Sequence, residues 1–348
     1  MSNINSNNFD FLRAIFASTV TVAHLIELSQ VPSFQKLALY FNTRLAIDGF
    51  FIISGFLIAK SFENSQSLKS YILKRIKRIA PAYFFVILSC SIFFYFISSY
   101  SFFQYFFGVQ FWKYLLANLT FQNYLEPCLP GVFNNNLLCS VNGALWTIKI
   151  EEAFYLLVPI FYFLIRKKYV SIYVLSIVIY LISISYFNYF MKIDNYRLAK
   201  QLPGAFSFFI TGIILYKNFN FFIKWKYYII LPCLFVFIIE QYILQTQIIK
   251  PICFGFLVFY AAYSFKWLNN FGKFGDFTYG IYIYHFPLIQ LFVYIGLFKQ
   301  FNPAVVSILL LILVLLMSIL SWYLIELHYL SKSRKSRHKN LLKHLINK

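Results

Sequence analysis

Residues 9–28 read FDFLRAIFASTVTVAHLIEL, and this stretch decides the fold. A helix needs about 20 predominantly apolar residues to cross a bilayer core, and this run supplies them. Yet it carries Arg13 and His24. A charge in the hydrocarbon region is costly, so an ionisable residue there marks a functional site by default. Eleven residues at about 100° each return His24 to within about 20° of the Arg13 face, and carry it about 16 Å along the axis. One helix face therefore sets a permanent cation near one membrane surface and an imidazole more than half-way across. Glu27 follows about one turn later on nearly the same face. That arrangement suits a protein that handles material on both sides of a membrane. The run lacks the basic flank and small-residue cleavage site of a secretory signal, so it is read as a resident span.

The rest of the chain agrees. Of its 348 residues 60% are hydrophobic, 22% aromatic and 12% charged, and the mean hydropathy is +0.68. A soluble domain is nearer half apolar and a quarter charged. The expected fold class is therefore all-α, a polytopic membrane protein of about ten transmembrane helices with no soluble domain. The spans read as Phe9–Leu28, Leu45–Phe62, Ile79–Ile97, Leu145–Ile165, Val170–Tyr189, Leu202–Tyr216, Tyr227–Ile243, Ile248–Phe265, Phe277–Leu297 and Pro303–Ile325. One membrane domain, residues 9–326, is expected to lead into a basic tail, residues 327–348.

The net charge of +20 is unevenly spread. With the N-terminus placed in the cytoplasm, Lys69, Lys74, Arg75, Lys77 and Arg78 fall inside after the second span. Arg166-Lys167-Lys168, Lys217, Lys224, Lys226 and the tail cations also fall inside. The opposite loops hold scattered cations such as Lys113, Lys192 and Arg197. This is the positive-inside pattern, with both termini cytoplasmic. It accounts for the basic excess through topology and the lipid bilayer rather than nucleic acid, and the tail is suited to anionic lipid.

The longest loop, from about Ser98 to Gly143, falls outside in this topology. Its first half is aromatic and suits the headgroup level. Its second half is rich in Pro, Gly and Asn, hence irregular. Cys128 and Cys139 lie there and suit a disulfide in an oxidising compartment. Cys90, Cys233 and Cys253 lie in apolar spans as packing residues. The Cys/His spacings of a zinc site are absent, and no metal is expected.

Each remaining candidate has a chemical and an architectural reading. His24 suits general-base work near neutral pH, or is a buried histidine satisfied by a neighbouring helix. Arg75 and Arg78, three apart, point the same way along a helix and match phosphate oxygens, or are an ordinary topological cluster. Pro81 is placed in the first turn of the third span. Glu151 and Glu152 head the fourth span, where they suit the orientation of an imidazole or sugar hydroxyl, or favour a helix start. Trp146 suits stacking on a sugar, or the aromatic belt. Asp48 needs a partner, and Arg44 four residues earlier can supply it, while Gly49, Ser54 and Gly55 allow close helix approach. His285 suits ligand contact or bracing of the bundle, beside a proline that frees backbone groups.

Taken in order, these segments resemble the acyltransferase-3 family of membrane O-acyltransferases. The likeness runs from about Phe9 to Glu326. It rests on Phe11-Leu12-Arg13 leading to His24, on Asp48-Gly49-Phe50-Phe51 running into Ser54-Gly55-Phe56, and on Arg75-x-x-Arg78 with Pro81. It continues with Leu145-Trp146-Thr147 leading to Glu151-Glu152-Ala153-Phe154-Tyr155, and with Tyr279-Gly280-Ile281-Tyr282 ending in His285-x-Pro287. Thr147 stands where serine is common and Ala153 where glutamine is common. The resemblance implies transfer of an acyl group, usually acetyl, from cytosolic acetyl-CoA or another acyl-CoA. The acceptor it implies is a hydroxyl of a glycan or lipid-linked glycan, such as O-antigen, capsule or exopolysaccharide, at a bacterial inner membrane. It also implies His24 and Arg13 as catalytic and Arg75 and Arg78 as donor-binding; the residue chemistry above adds Glu151 to the catalytic set and Asp48, Trp146, Glu152 and His285 as acceptor-binding. Some relatives add a span and a hydrolase-like domain, which this sequence is not expected to use. From the residues alone, a glycan transporter or flippase stands as the rival, since intramembrane Arg and His would line a path. The inverted repeat that many transporters show is not visible.

Overall fold

The computed structural model describes residues 4–330, so residues 331–348 of the expected basic tail lie outside the described residues. Among the described residues the regular structure is entirely helical. The helices are α1 (Phe9–Ser29), α2 (Thr43–Glu63), α3 (Leu68–Phe93), α4 (Phe102–Phe107), α5 (Val109–Leu119), α6 (Trp146–Arg166), α7 (Ile172–Lys192), α8 (Tyr196–Ala199), α9 (Leu202–Lys217), α10 (Phe219–Ile238), α11 (Lys250–Ser264), α12 (Thr278–Tyr294), α13 (Leu297–Gln300), α14 (Pro303–Ser321) and α15 (Leu327–Tyr329).

By length and apolar character seven helical segments can cross a bilayer, and an eighth if Lys250–Ser264 and Lys266–Phe274, bent by 77°, form one span. The two other spans read from sequence are α6 and α12. α6 carries Lys149, Glu151, Glu152 and Arg166, and α12 is 17 residues long. Both hold candidate site residues, Trp146, Glu151 and Glu152 on α6 and His285 on α12.

Most helix ends match the reading within a few residues, but α3 begins at Leu68, well before Ile79, and α10 at Phe219, well before Tyr227. Ser67 starts α3, its hydroxyl accepting from the Ser70 amide at 3.1 Å. Such an N-cap starts the helix ahead of the basic run, so Arg75 and Arg78 lie on α3 itself. Pro81 consequently lies inside α3 and not in its first turn.

The helices cluster into two compact units. The first comprises residues 4–16, 44–72 and 150–272, and the second residues 17–43, 73–149 and 273–330. The first unit is built on aromatics. Phe9, Phe56 and Phe259 meet with ring centroids 4.9–5.4 Å apart, and Phe154 stacks on Phe209 at 4.0 Å. α2 and α9 pack backbone to backbone. A Cβ on Gly55 would overlap the Phe209 carbonyl, and one on Gly212 that of Ile52. Small residues permit such contact where apolar lipid gives helices little hydrophobic reason to associate.

In the second unit α12 packs along α14, with Tyr284 donating to Ser321 Oγ at 3.1 Å. The long loop folds onto α12. Gln290, wholly buried, donates to the Leu138 and Ser140 carbonyls at 2.6 and 2.7 Å, and its side-chain oxygen accepts from Asn136 at 2.9 Å. Cys128 and Cys139 are joined in a disulfide within that loop.

Two prolines inside helices leave a mark. Proline has no N–H, so it frees the carbonyl four residues earlier. In α6, Pro159 frees Tyr155, and the Tyr71 hydroxyl donates to that carbonyl at 3.1 Å. In α12, Pro287 frees Ile283, and Asn142 Nδ2 donates to it at 2.8 Å. The freed groups expected around Pro287 are thus met by a side chain of the long loop.

Candidate active site

The candidate residues divide between the units. Arg13, Asp48, Glu151 and Glu152 belong to the first. His24, Arg75, Arg78, Trp146 and His285 belong to the second.

In the second unit the structure brings His24 and His285 together. Their facing nitrogens, Nδ1 of His24 and Nε2 of His285, are 2.9 Å apart. His285 is wholly buried, and its Nδ1 lies 3.0 Å from the Ile281 carbonyl oxygen. Phe286 meets His24 edge-on at 5.3 Å. Gly143 makes room for Phe286, because a Cβ there would stand 2.6 Å from its ring. Thr147 keeps the hydroxyl that serine would bring, bonded to Tyr282 at 2.5 Å. Trp146, half-buried, is the first residue of α6.

Arg75 and Arg78 lie one turn apart on α3, both partly buried. Arg78 is ion-paired to Asp276 at 2.5 Å and to Glu326 at 3.5 Å, and lies over the Tyr279 ring at 5.8 Å. Asp276 also accepts from the Thr278 hydroxyl. These two acids were missed in the sequence reading. The signal available was scarcity: the chain has only 11 acidic residues, so an acid beside an apolar helix is informative.

In the first unit Asp48 is wholly buried, and its expected partner is present. Arg44 Nε donates to both carboxylate oxygens at 2.9 and 3.0 Å, and Nη2 to Gln247 at 3.2 Å. Gln247 in turn donates to the Gly204 carbonyl at 2.8 Å and to Ser207 Oγ at 2.7 Å. Glu151 accepts from Tyr155 at 2.5 Å and from Ser54 at 3.4 Å. Glu152 is partly buried one residue on, and Arg13 is partly buried in the second turn of α1. Arg13 and His24 share one unbroken helix.

Fold and side chains define an integral, multi-pass α-helical membrane protein. The acyltransferase domain pattern matches residues 6–327, and the chain belongs to the acyltransferase-3 family. It is similar to an O-acetyl transferase of Shigella phage Sf6, 26% identical over 348 aligned residues covering 94% of this chain and 97% of that one. It is also similar to nodulation protein 10 of Rhizobium leguminosarum bv. viciae, 25% identical over 169 residues covering 45% of this chain and 44% of that one. An uncharacterised protein of Haemophilus influenzae is 31% identical over 139 residues, 37% of this chain and 53% of that one. No solved structure matches. The chain is a membrane acyltransferase.

Proposed function

We propose that this acyltransferase is an O-acyltransferase that moves an acetyl or other short acyl group from cytosolic acyl-CoA to a hydroxyl of a surface-glycan sugar. The site is a bacterial inner membrane, with both chain termini in the cytoplasm. The observation that carries the reading is the His24–His285 contact. An imidazole inside an apolar helix is costly unless used, and here it is hydrogen-bonded on one side only, through Nδ1. The family membership supports acyl transfer. The phage O-acetyl transferase, similar over nearly the whole chain, supports oxygen as the acceptor.

In this reading His24 takes the proton of the acceptor hydroxyl as its oxygen attacks the thioester carbon. The tetrahedral intermediate then collapses, the carbon–sulfur bond breaks, and the proton passes from His24 to the departing CoA sulfur. The products are an acyl ester and the free thiol. Arg75 holds donor phosphates through its planar fork, and Arg78, anchored by Asp276 and Glu326, joins it. Arg13 and Glu151 are the further catalytic candidates, and Trp146 and Glu152 the acceptor-binding ones.

Protein purified in detergent tests this directly. CoA should raise the unfolding temperature of wild type. The Arg75→Ala/Arg78→Ala variant should lose that rise, and His24→Ala should keep it while losing acetyl-CoA turnover. Failure of wild type to bind either CoA or acetyl-CoA would refute the donor assignment and favour a transport role.

A further inference from the structure

The hydrogen bonds around the histidine pair determine where each ring carries its hydrogen. The Ile281 oxygen is a carbonyl, which can only accept, so Nδ1 of His285 is the protonated nitrogen. A neutral imidazole has one N–H, which makes Nε2 of His285 a lone pair. That lone pair lies 2.9 Å from Nδ1 of His24, which must then donate. Nε2 of His24 is therefore the basic nitrogen, and among the described residues nothing hydrogen-bonds to it.

Ring geometry supports the assignment. The planes differ by 11° and the centroids are 5.2 Å apart. A 2.9 Å nitrogen–nitrogen contact reaches that centroid separation only when the rings meet edge to edge. The N–H of one ring thus points along the lone pair of the other. Phe286 closes against His24 at 80° to its plane, limiting rotation out of this alignment.

We infer that His285 is a positioning residue that fixes His24 in the Nδ1–H tautomer and accepts its hydrogen bond while Nε2 receives the acceptor's proton. The inference rests on His24 acting as the base and adds a group behind it. When His24 becomes imidazolium, the His285 lone pair receives its Nδ1–H, and the Ile281 carbonyl holds His285 in turn. The carboxylate of a serine-hydrolase triad does the same work. A neutral imidazole does it here without a second charge among apolar helices. His285 itself need touch neither acceptor nor donor, which sets this role apart from the acceptor contact expected from sequence.

Nitrogen-15 NMR of histidine-labelled wild type reads the tautomers without any substitution, since protonated and lone-pair nitrogens resonate far apart. The chain has only 5 histidines. Two neutral rings should show the Nδ1–H form, which is the minor tautomer in water, and His24→Ala should remove one of them. In steady state, His285→Leu should lower kcat by about 10–100-fold with KM for acetyl-CoA unchanged. His285→Gln, whose amide oxygen can accept from His24, should recover most of that loss. CoA-dependent stabilisation shows that each variant is folded. An Nε2–H form of His24 in wild type overturns the inference, as does full kcat in folded His285→Leu beside an inactive His24→Ala. Full kcat in His24→Ala instead overturns the base assignment, and this inference with it.

Discussion

The Arg44–Asp48–Gln247 knot of the first unit and the His24–His285 pair of the second are both polar clusters held among apolar helices, and they end differently. In the knot every named bond returns to the protein. Arginine forks onto the carboxylate and reaches the glutamine, which donates to a carbonyl and a hydroxyl. In the pair the bonds run one way, from the Ile281 carbonyl through His285 to His24, and stop at Nε2. A closed cluster spends its polarity on architecture. An open one leaves a reactive atom at its end. Residue type alone does not separate them, because a buried Asp48 has as strong a claim to chemistry as a buried histidine.

The largest effect that sharpens the contrast is expected from His24→Ala. Loss of a general base costs about 10²–10⁴-fold in rate, so acetyl transfer should fall by that factor at unchanged CoA binding. In the knot the damage should be to stability. Asp48→Ala leaves the Arg44 cation without its carboxylate and should cost about 3–5 kcal/mol, seen as loss of folded protein in a detergent thermal scan. Joint replacement of Arg44 and Asp48 by Met and Leu should recover most of that loss. If the joint variant folds but is inactive, Asp48 belongs with the chemistry, and the contrast fails. Gly143→Ala is intermediate. It crowds the Phe286 ring that abuts His24, and overpacking costs about 1–3 kcal/mol, so both Tm and kcat should drop in one variant. The smallest effect is expected from Gln290→Leu. It leaves the Leu138 and Ser140 carbonyls without their donor at about 1–3 kcal/mol, read as faster protease cleavage between Phe133 and Asn142 with kcat nearly unchanged.

Much of this was legible in the chain itself. Apolar runs gave the helices, and Arg44 was found for Asp48 because four residues is one helical turn. The start of α3 was not, since Ser67 is a local cap whose effect is hidden by the basic run after it. Arg13 and His24 stood out because charge is rare in α1, and their shared face follows from helix geometry within that element. The meeting of His24 with His285 could not be read, because 261 residues separate them and no periodicity carries that information. The Arg78 acids were hidden for the same reason: Asp276 lies 198 residues along the chain, just before α12, and Glu326 lies after α14.

The carbonyls released by Pro159 and Pro287 carry a mechanical consequence. Each is matched to one donor, Tyr71 or Asn142, at a single height along its helix. Sliding α12 by one residue past the Asn142 loop would strand a donor and an acceptor together in a medium without water, at about 1–3 kcal/mol for each orphaned group. Asn142 therefore acts as a key in a slot, setting the register of α12 as a pin sets a shaft. The depth at which α12 holds the His285 ring is indexed to the loop beside it, so the Asn142 amide tunes the reacting nitrogen's position through the backbone of α12.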